Sequence, residues 1–277
     1  MGLRINTNVL SLAAQRSLSG NRGGQNKSME RVASGSRINR SGDDAAGLAI
    51  SEKLKSNIRS MNQARRNAND GISMIQVAEG AMNEVSNILV RLRELSIQSS
   101  SDTLSDIERG FIDKEVQHLK LEMDRIAKGT SFNGMQLLDG TQEQLDIQVG
   151  IHNNPFQDRM SYNTEAQNVT MEALGIGEVS TLTKESSQEN LETIDNALTR
   201  LNGARAGLGA LQNRLMSTIN NLEISEENLQ AANSRIRDTD MAEESSRLTK
   251  FNILTQANVA VLGQANSVPQ LALKLIG

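Results

Sequence analysis

Few side chains in this sequence are of a type that does chemistry, and none has the neighbours that chemistry needs. The imidazoles are His118 and His152. His118 lies in a helical pattern with no partner histidine one turn away, and His152 sits in a polar loop, so each reads as structural or surface. Gly175-Ile176-Gly177 opens like a dinucleotide fingerprint, but Ser180 stands where the third glycine belongs. Asp238 and Asp240 could suggest a cation site and read better as a charged joint between helices. Asn168-Val169-Thr170 fits a glycosylation acceptor, a tripeptide common by chance. Met61, Met74, Met82 and Met123 read as core filler rather than a recognition groove. No catalytic residue, cofactor-binding residue or metal ligand is assigned, and an enzyme is the least supported class.

The pattern that does carry information is structural. Every seventh residue from Ile194 is a large aliphatic: Leu201, Leu208, Leu215, Leu222, Leu229 and Ile236. Leu191, Leu198 and Ile219 lie in a companion column that Arg205, Gln212, Glu226 and Asn233 interrupt. Such 3,4 spacing predicts one long helix with a narrow seam against partner helices. Ser186 and Glu189 have capping-box spacing at its start, and no proline lies between Phe156 and Pro269. A helix over 186–237 would run about 78 Å at ~1.5 Å per residue. A globule of this chain length would be roughly 50 Å across. The fold class is therefore mainly α, an elongated helical rod or coiled-coil bundle.

Composition agrees. The sequence has no Trp, one Tyr, four Phe and two Pro in 277 residues, so its core must come from Leu, Ile, Val, Met and Ala, which suits thin bundles. Without cysteine, disulfides and thiolate metal sites are excluded. The formal charge of −4 and the scattered basic residues give no nucleic-acid footprint. Arg4, Asn6, Asn8, Gln15 and Arg16 break the apolar character of the first twenty positions, so neither a secretory h-region nor a membrane span is expected.

Along the chain, residues 1–40 show loose helical spacing interrupted by Gly20, Gly23 and Gly24. Ser41 to Asp44 has capping-box spacing. A helix is predicted from Ala45 to about Ser99, with Leu54, Met61, Ala68, Ile75, Met82 and Leu89 in one heptad column. Gly71 and Gly80 are expected where another backbone comes close. A shorter helix should run from Leu104 to Gly129. Leu145, Ile147 and Val149 then alternate with polar residues, and Asn133-Gly134 and Asp139-Gly140 are turn dipeptides, so a small β element is expected near 135–150. Residues 151–185 read as an exposed, variable segment. The final stretch, from 248, is rich in large apolar residues to its last positions. Apolar ends are unusual, and they suggest segments that order only on assembly and a subunit that polymerises through its ends. Ile5, Val9, Leu12, Phe251, Leu254, Val261, Leu262, Leu271 and Leu275 are the candidate polymerisation residues.

Several stretches resemble the bacterial flagellins. They are Ile5-Asn6-Thr7-Asn8, Arg31-Val32-Ala33-Ser34-Gly35, Ser41 to Ile50 (SGDDAAGLAI), Arg65 to Gly71 (RRNANDG), Ser234 to Ala242 (SRIRDTDMA) and Gln264 to Gln270 (QANSVPQ). The likeness covers residues 1–150 and 186–277. It implies a terminal coiled-coil domain from 1–43 paired with 239–277. It also implies a helical rod domain over 44–238 with a β-hairpin region at 130–150 and a short variable surface segment at 151–185. Such a protein polymerises with copies of itself into the extracellular flagellar filament, after export unfolded through the flagellar type III channel. Its partners are the filament cap, hook-junction proteins and an export chaperone. Arg91, Leu95, Gln98 and Glu115 fall where the family meets the flagellin-sensing Toll-like receptor, with Leu119 standing where the family has an arginine. The alternatives are a hook–filament junction protein, whose match would be patchier, and a soluble coiled-coil adaptor or effector, which would form a discrete oligomer.

Overall fold

The computed structural model describes residues 7–142 and 144–276, the last eight of these by backbone only. Seven helices and four short strands follow in the order α1 (Val9–Ser34), α2 (Ala45–Ser99), α3 (Asp106–Gly129), β1 (Ser131–Phe132), β2 (Met135–Gln136), β3 (Leu145–Gln148), α4 (Pro155–Asp158), β4 (Arg159–Tyr162), α5 (Met171–Leu174), α6 (Lys184–Arg237) and α7 (Met241–Ile276). Two compact units form, one from residues 1–58 with 227–277 and one from 59–226. The fold is mainly α, with two antiparallel strand pairs. The breaks expected at 43/44 and 238/239 are joints between helices, whereas the units divide inside α2 and α6.

In the unit from 59 to 226, α2 runs antiparallel to α3 and α6. Arg91 pairs with Glu115 at 2.8 Å, Arg93 with Asp195 at 2.7 Å and Arg65 with Glu223 at 3.1 Å. The heptad columns meet here. Ala68, Ile75, Met82 and Leu89 of α2 are fully buried with Ile194, Leu201, Leu208 and Leu215 of α6 and Val116 and Met123 of α3. The α6 column then loses its cover, since Leu222, Leu229 and Ile236 are only half-buried. The seam is a core for its first four positions and a partly wet stripe for its last three.

Helix ends follow local chemistry. Ser105 and Glu108 form a capping box at α3. At α6 the reciprocal pair is Thr183 and Ser186, each backbone N–H bonding the other's hydroxyl at 3.3 and 3.2 Å, three residues before the expected Ser186–Glu189 box. At α2 the cap is Asp44 itself, which accepts the Gly47 N–H at 2.8 Å; Ser41 lies outside. Buried Arg109 bonds the carbonyls of Ser99 at 3.0 Å and Ser101 at 2.9 Å, neutralising the orphan acceptors where α2 ends.

The segment 151–185, expected at the surface, instead closes the core. β4 pairs with β3 in the register Leu145↔Tyr162 to Gln148↔Arg159. Tyr162, Val169, Leu174, Ile176, Val179 and Thr181 are all buried. The Tyr162 hydroxyl donates to the Leu137 carbonyl at 2.8 Å, and burial pushes its pKa far above the usual phenol value. Lys120 is buried with its ammonium on the carbonyls of Gly177 at 2.6 Å and Val179 at 2.9 Å. Desolvation lowers its pKa, partly offset by the Asp113 charge. Asp113 in turn accepts from the Thr181 N–H at 2.8 Å and the Ser180 hydroxyl at 3.0 Å. Polar residues of α3 thus strap a chain whose weak periodicity conceals its burial. Asn133-Gly134 makes the β1–β2 turn with φ of 50° and 80°, as the dipeptide predicts. Contrary to expectation, no other backbone comes close at Gly71 or Gly80: a Cβ on Gly71 would stand 2.7 Å from the Ile147 side chain, so this glycine makes room for a side chain, and Gly80 faces open space.

In the other unit, α1 and α7 run antiparallel, and α1 continues unbroken through Gly20, Gly23 and Gly24. A Cβ on Gly24 would lie 2.6 Å from the Phe251 ring, so this glycine makes room for an aromatic. The chain then turns through a joint where Ser36 bridges Asp238, the Arg37 N–H bonds the Arg237 carbonyl at 2.7 Å and the Thr239 N–H bonds the Gly35 carbonyl at 2.9 Å. Lys27 meets Asp43 at 2.6 Å, and together with backbone N–H groups of Arg40 and Asn39 it pulls the Asp43 pKa down to about 2.

Candidate functional site

The residues whose types could do chemistry lie at the surface or in helix caps. His118 is exposed on α3, and His152 is exposed in a loop with its backbone N–H on Asp158. Asp240 caps α7 through the N–H groups of Ala242 and Glu243 at 2.9 and 3.2 Å. Gly175 is the left-handed cap of α5. The Asn168 amide oxygen accepts both the N–H and hydroxyl of Thr170 at 3.0 and 2.8 Å, with Val169 fully buried between them. That tripeptide is a folded capping motif.

What the molecule offers is surface. In the α1/α7 pair the contact side is largely small and polar. Asn8 donates to the Ala265 carbonyl at 2.7 Å, Ser11 to Asn266 at 2.9 Å, Gln25 to Asn252 at 2.6 Å and Ser28 to the buried Glu244 at 2.6 Å. Ala14 and Ala265 are buried with them. Small residues let the helix backbones approach closely, and the polar pairs fix the register. Most of the large aliphatic residues point the other way. Val9, Leu12, Leu254 and Val261 are exposed, as are Leu10, Ile253 and Val259. Phe251 and Leu262 are half-buried. The side chains of Ile5, Leu271 and Leu275 lie outside the described residues. A heptad reading expects the biggest apolar residues between the two helices; here the contact mixes small and polar residues with the half-buried Phe251 and Leu262, and the other large aliphatic residues are left open.

The receptor-like residues split. Arg91 and Glu115 form an exposed ion pair between α2 and α3, with Glu94 also on Arg91 at 3.1 Å. These two carboxylates raise the Arg91 pKa. Gln98 is exposed, but Leu95 is buried in the core at 2% exposure and presents nothing to a partner. Periodicity alone could have found this, since Leu95 is three residues beyond Leu92 and six beyond Leu89. Among the described residues, no group of three His, Cys, Asp or Glu side chains converges as a metal would require, and no helix is long and apolar enough to cross a membrane.

A long-helix subunit with open apolar faces at both chain ends is built for self-assembly. Two family descriptions match: the bacterial flagellin N-terminal helical region over residues 5–143 and the C-terminal helical region over 191–276. The chain is 44% identical over 274 residues to a flagellin of Halalkalibacterium halodurans, covering 98% of this chain and 99% of that one. It is 43% identical over 310 residues to a flagellin of Bacillus subtilis, covering 99% and 100%. A flagellar filament 33 kDa core protein of Treponema phagedenis is 42% identical over 284 residues, covering 98% and 99%. Among solved structures, Bacillus cereus flagellin matches with a TM-score of 0.50 at 29% identity, over 57% of this chain and 88% of that one. A putative flagellar hook-associated protein of Vibrio parahaemolyticus shares the fold, with a TM-score of 0.59 at 16% identity, over 71% and 100%. The chain belongs to the bacterial flagellin family. It is a structural subunit of the flagellar filament, an extracellular appendage, and the near-continuous match does not favour the junction-protein alternative.

Proposed function

We propose that this subunit polymerises through the outward apolar faces of α1 and α7, which become the buried core of the filament. The observation that carries this is the exposure of Val9, Leu12, Ile253, Val259 and Val261 on two helices whose mutual contact uses mainly small and polar residues. Exposed apolar surface of this extent on paired helices needs a cover, and a homopolymer supplies it from the next copy. The domain division at 43/44 and 238/239 is the corresponding proposal for the working parts: a terminal core-forming pair and an outer bundle.

The same surfaces support the rest of the cycle. An export chaperone would cover the α7 apolar residues before assembly, the chain would pass unfolded through the flagellar type III channel, and the cap and hook-junction proteins would meet it at the filament's ends. The absence of cysteine fits passage as an unfolded chain, since no disulfide has to be kept open. Seeded assembly tests the reading. Full-length subunit mixed with filament fragments should extend them under electron microscopy, and chain lacking 241–277 should not. A discrete soluble oligomer from both would remove it.

A second reading is carried by the exposed Arg91–Glu115 pair with Gln98. These residues would engage the flagellin-sensing Toll-like receptor in the free subunit, with Leu95 acting only by supporting the helix. An Arg91→Ala subunit that activates the receptor as strongly as wild type would end it.

A further inference from the structure

Phe156 is 97% exposed, more than any other large apolar side chain described, yet the loop that carries it is tightly tied. The buried Asp158 carboxylate accepts the N–H of His152 at 3.2 Å and of Asn154 at 2.9 Å. The Asn154 side chain accepts the Phe156 N–H at 3.0 Å. Gln148 donates to the carbonyls of Gly150 at 3.0 Å and His152 at 2.9 Å, and the N–H groups of Val149 and Gly150 both bond the Asp158 carbonyl. Pro155, directly before the phenylalanine, has its own φ locked by its ring. A slack loop exposes an aromatic by accident. A loop stitched on both sides of it presents the ring at a fixed place, which is how an interface anchor avoids the entropy cost of ordering on contact.

A matching surface lies at the other end of the same unit. Ile107, Phe111 and Leu121 project from α3 at 73%, 64% and 64% exposure, and Lys114 arches over the Phe111 ring at 5.6 Å. Positions 107, 111, 114, 118 and 121 alternate by four and three, so they form one outward stripe. The Ile107–Phe111 part sits beside the end of α2, because Arg109 bonds the Ser99 carbonyl. The Phe156 loop sits near Asn67, whose side chain donates to the Gln148 carbonyl at 3.0 Å. Residues 67 and 99 are separated by about 48 Å of helix at ~1.5 Å per residue, so the ring and the stripe of one chain do not meet.

We propose that Phe156 of one copy seats on the Ile107–Phe111 end of α3 of the next copy, as a head-to-tail contact along the filament. The occupant is a second copy because an open homopolymer requires two different, complementary patches on every subunit, and these two stand apart on one chain. The proposal rests on the filament reading and adds to it a contact outside the terminal helices.

Cross-linking tests it in a chain that has no cysteine of its own. Gln157→Cys and Lys114→Cys place thiols beside the two patches while leaving both aromatic rings in place. Assembled filaments of the double variant, treated with a short bis-maleimide and then denatured, should run as a ladder of linked subunits. Each single variant should stay monomeric, and a mixture of the two should stop at dimer. Phe156→Ala, which removes an exposed ring and leaves monomer melting unchanged, should raise the critical concentration about tenfold, the lower end of what burying one Phe contributes. Normal filaments that yield only monomer bands, single variants that link to themselves, or an unchanged critical concentration for Phe156→Ala would overturn the contact and leave the filament reading standing. Wild-type chain that forms no filaments would strike the filament reading, and the contact with it.

Discussion

The bundle of residues 59–226 and the terminal pair α1/α7 use the same helical grammar to opposite ends. In the bundle, leucine and isoleucine columns of three helices point at one another and vanish from solvent. In the terminal pair small and polar residues make most of the contact and most of the aliphatic ones face out. The first arrangement stabilises a single chain. The second leaves much of its hydrophobic free energy unrealised until other chains arrive. Helical periodicity by itself therefore says that a face is apolar, and the partner's side chains decide whether that face is satisfied at home.

Substitutions can break this contrast most sharply in the core. Leu89→Ala and Leu208→Ala, both in fully packed positions, should each lower the unfolding free energy by about 3–4 kcal/mol in urea melts followed by circular dichroism. Leu12→Ala and Val261→Ala should change the same melts by less than about 0.5 kcal/mol. They should nevertheless weaken seeded assembly severely in a pelleting assay. Equal melting losses in both regions would show that the terminal faces are covered within the monomer.

A middle-sized effect should come from the strap. Lys120→Met keeps the bulk of the side chain but leaves the Gly177 and Val179 carbonyls without their donor, and should cost about 2 kcal/mol. Faster amide exchange confined to the 170–183 region would locate the loss. Tyr162→Phe removes one hydroxyl from the Leu137 carbonyl and should cost about 1 kcal/mol with assembly unaltered.

The smallest effect is electrostatic and belongs to the joint beside α1. Asp43 has a folded pKa of about 2 against an ordinary 3.8, so its contribution is complete above pH ~4 and is lost as pH falls through about 2. An acid titration of helix content should therefore show a wild-type loss across that window that Asp43→Asn flattens. Identical curves would mean that Lys27 and the backbone donors do not hold the joint in solution.

Much of this was legible in the residues. The long helix over 186–237 is observed as Lys184–Arg237, and the helix over Ala45 to Ser99 ends where the serine run begins. Strong periodicity and punctuation by Gly, Ser and Asp leave little choice in such stretches. The segment 151–185 was hidden because it contributes its buried residues singly. Tyr162, Val169, Leu174 and Ile176 follow no common period, and the groups that hold them, Lys120 and Asp113, look like ordinary surface charges of α3. The buried position of Leu95 was legible from its spacing to Leu89 and Leu92, whereas the outward turn of Val9, Leu12 and Val261 was not, since it depends on which neighbour arrives and not on the residue itself.

Hydrogen exchange of the subunit before and after assembly tests the central claim most directly. Amides of α2, α3 and α6 within 59–226 should be protected in both states, because their side chains are buried in one chain. Amides of α1 and α7 should exchange quickly in the monomer and become strongly protected in the filament. Protection of α1 and α7 that is already complete in the monomer and unchanged by assembly would contradict the account.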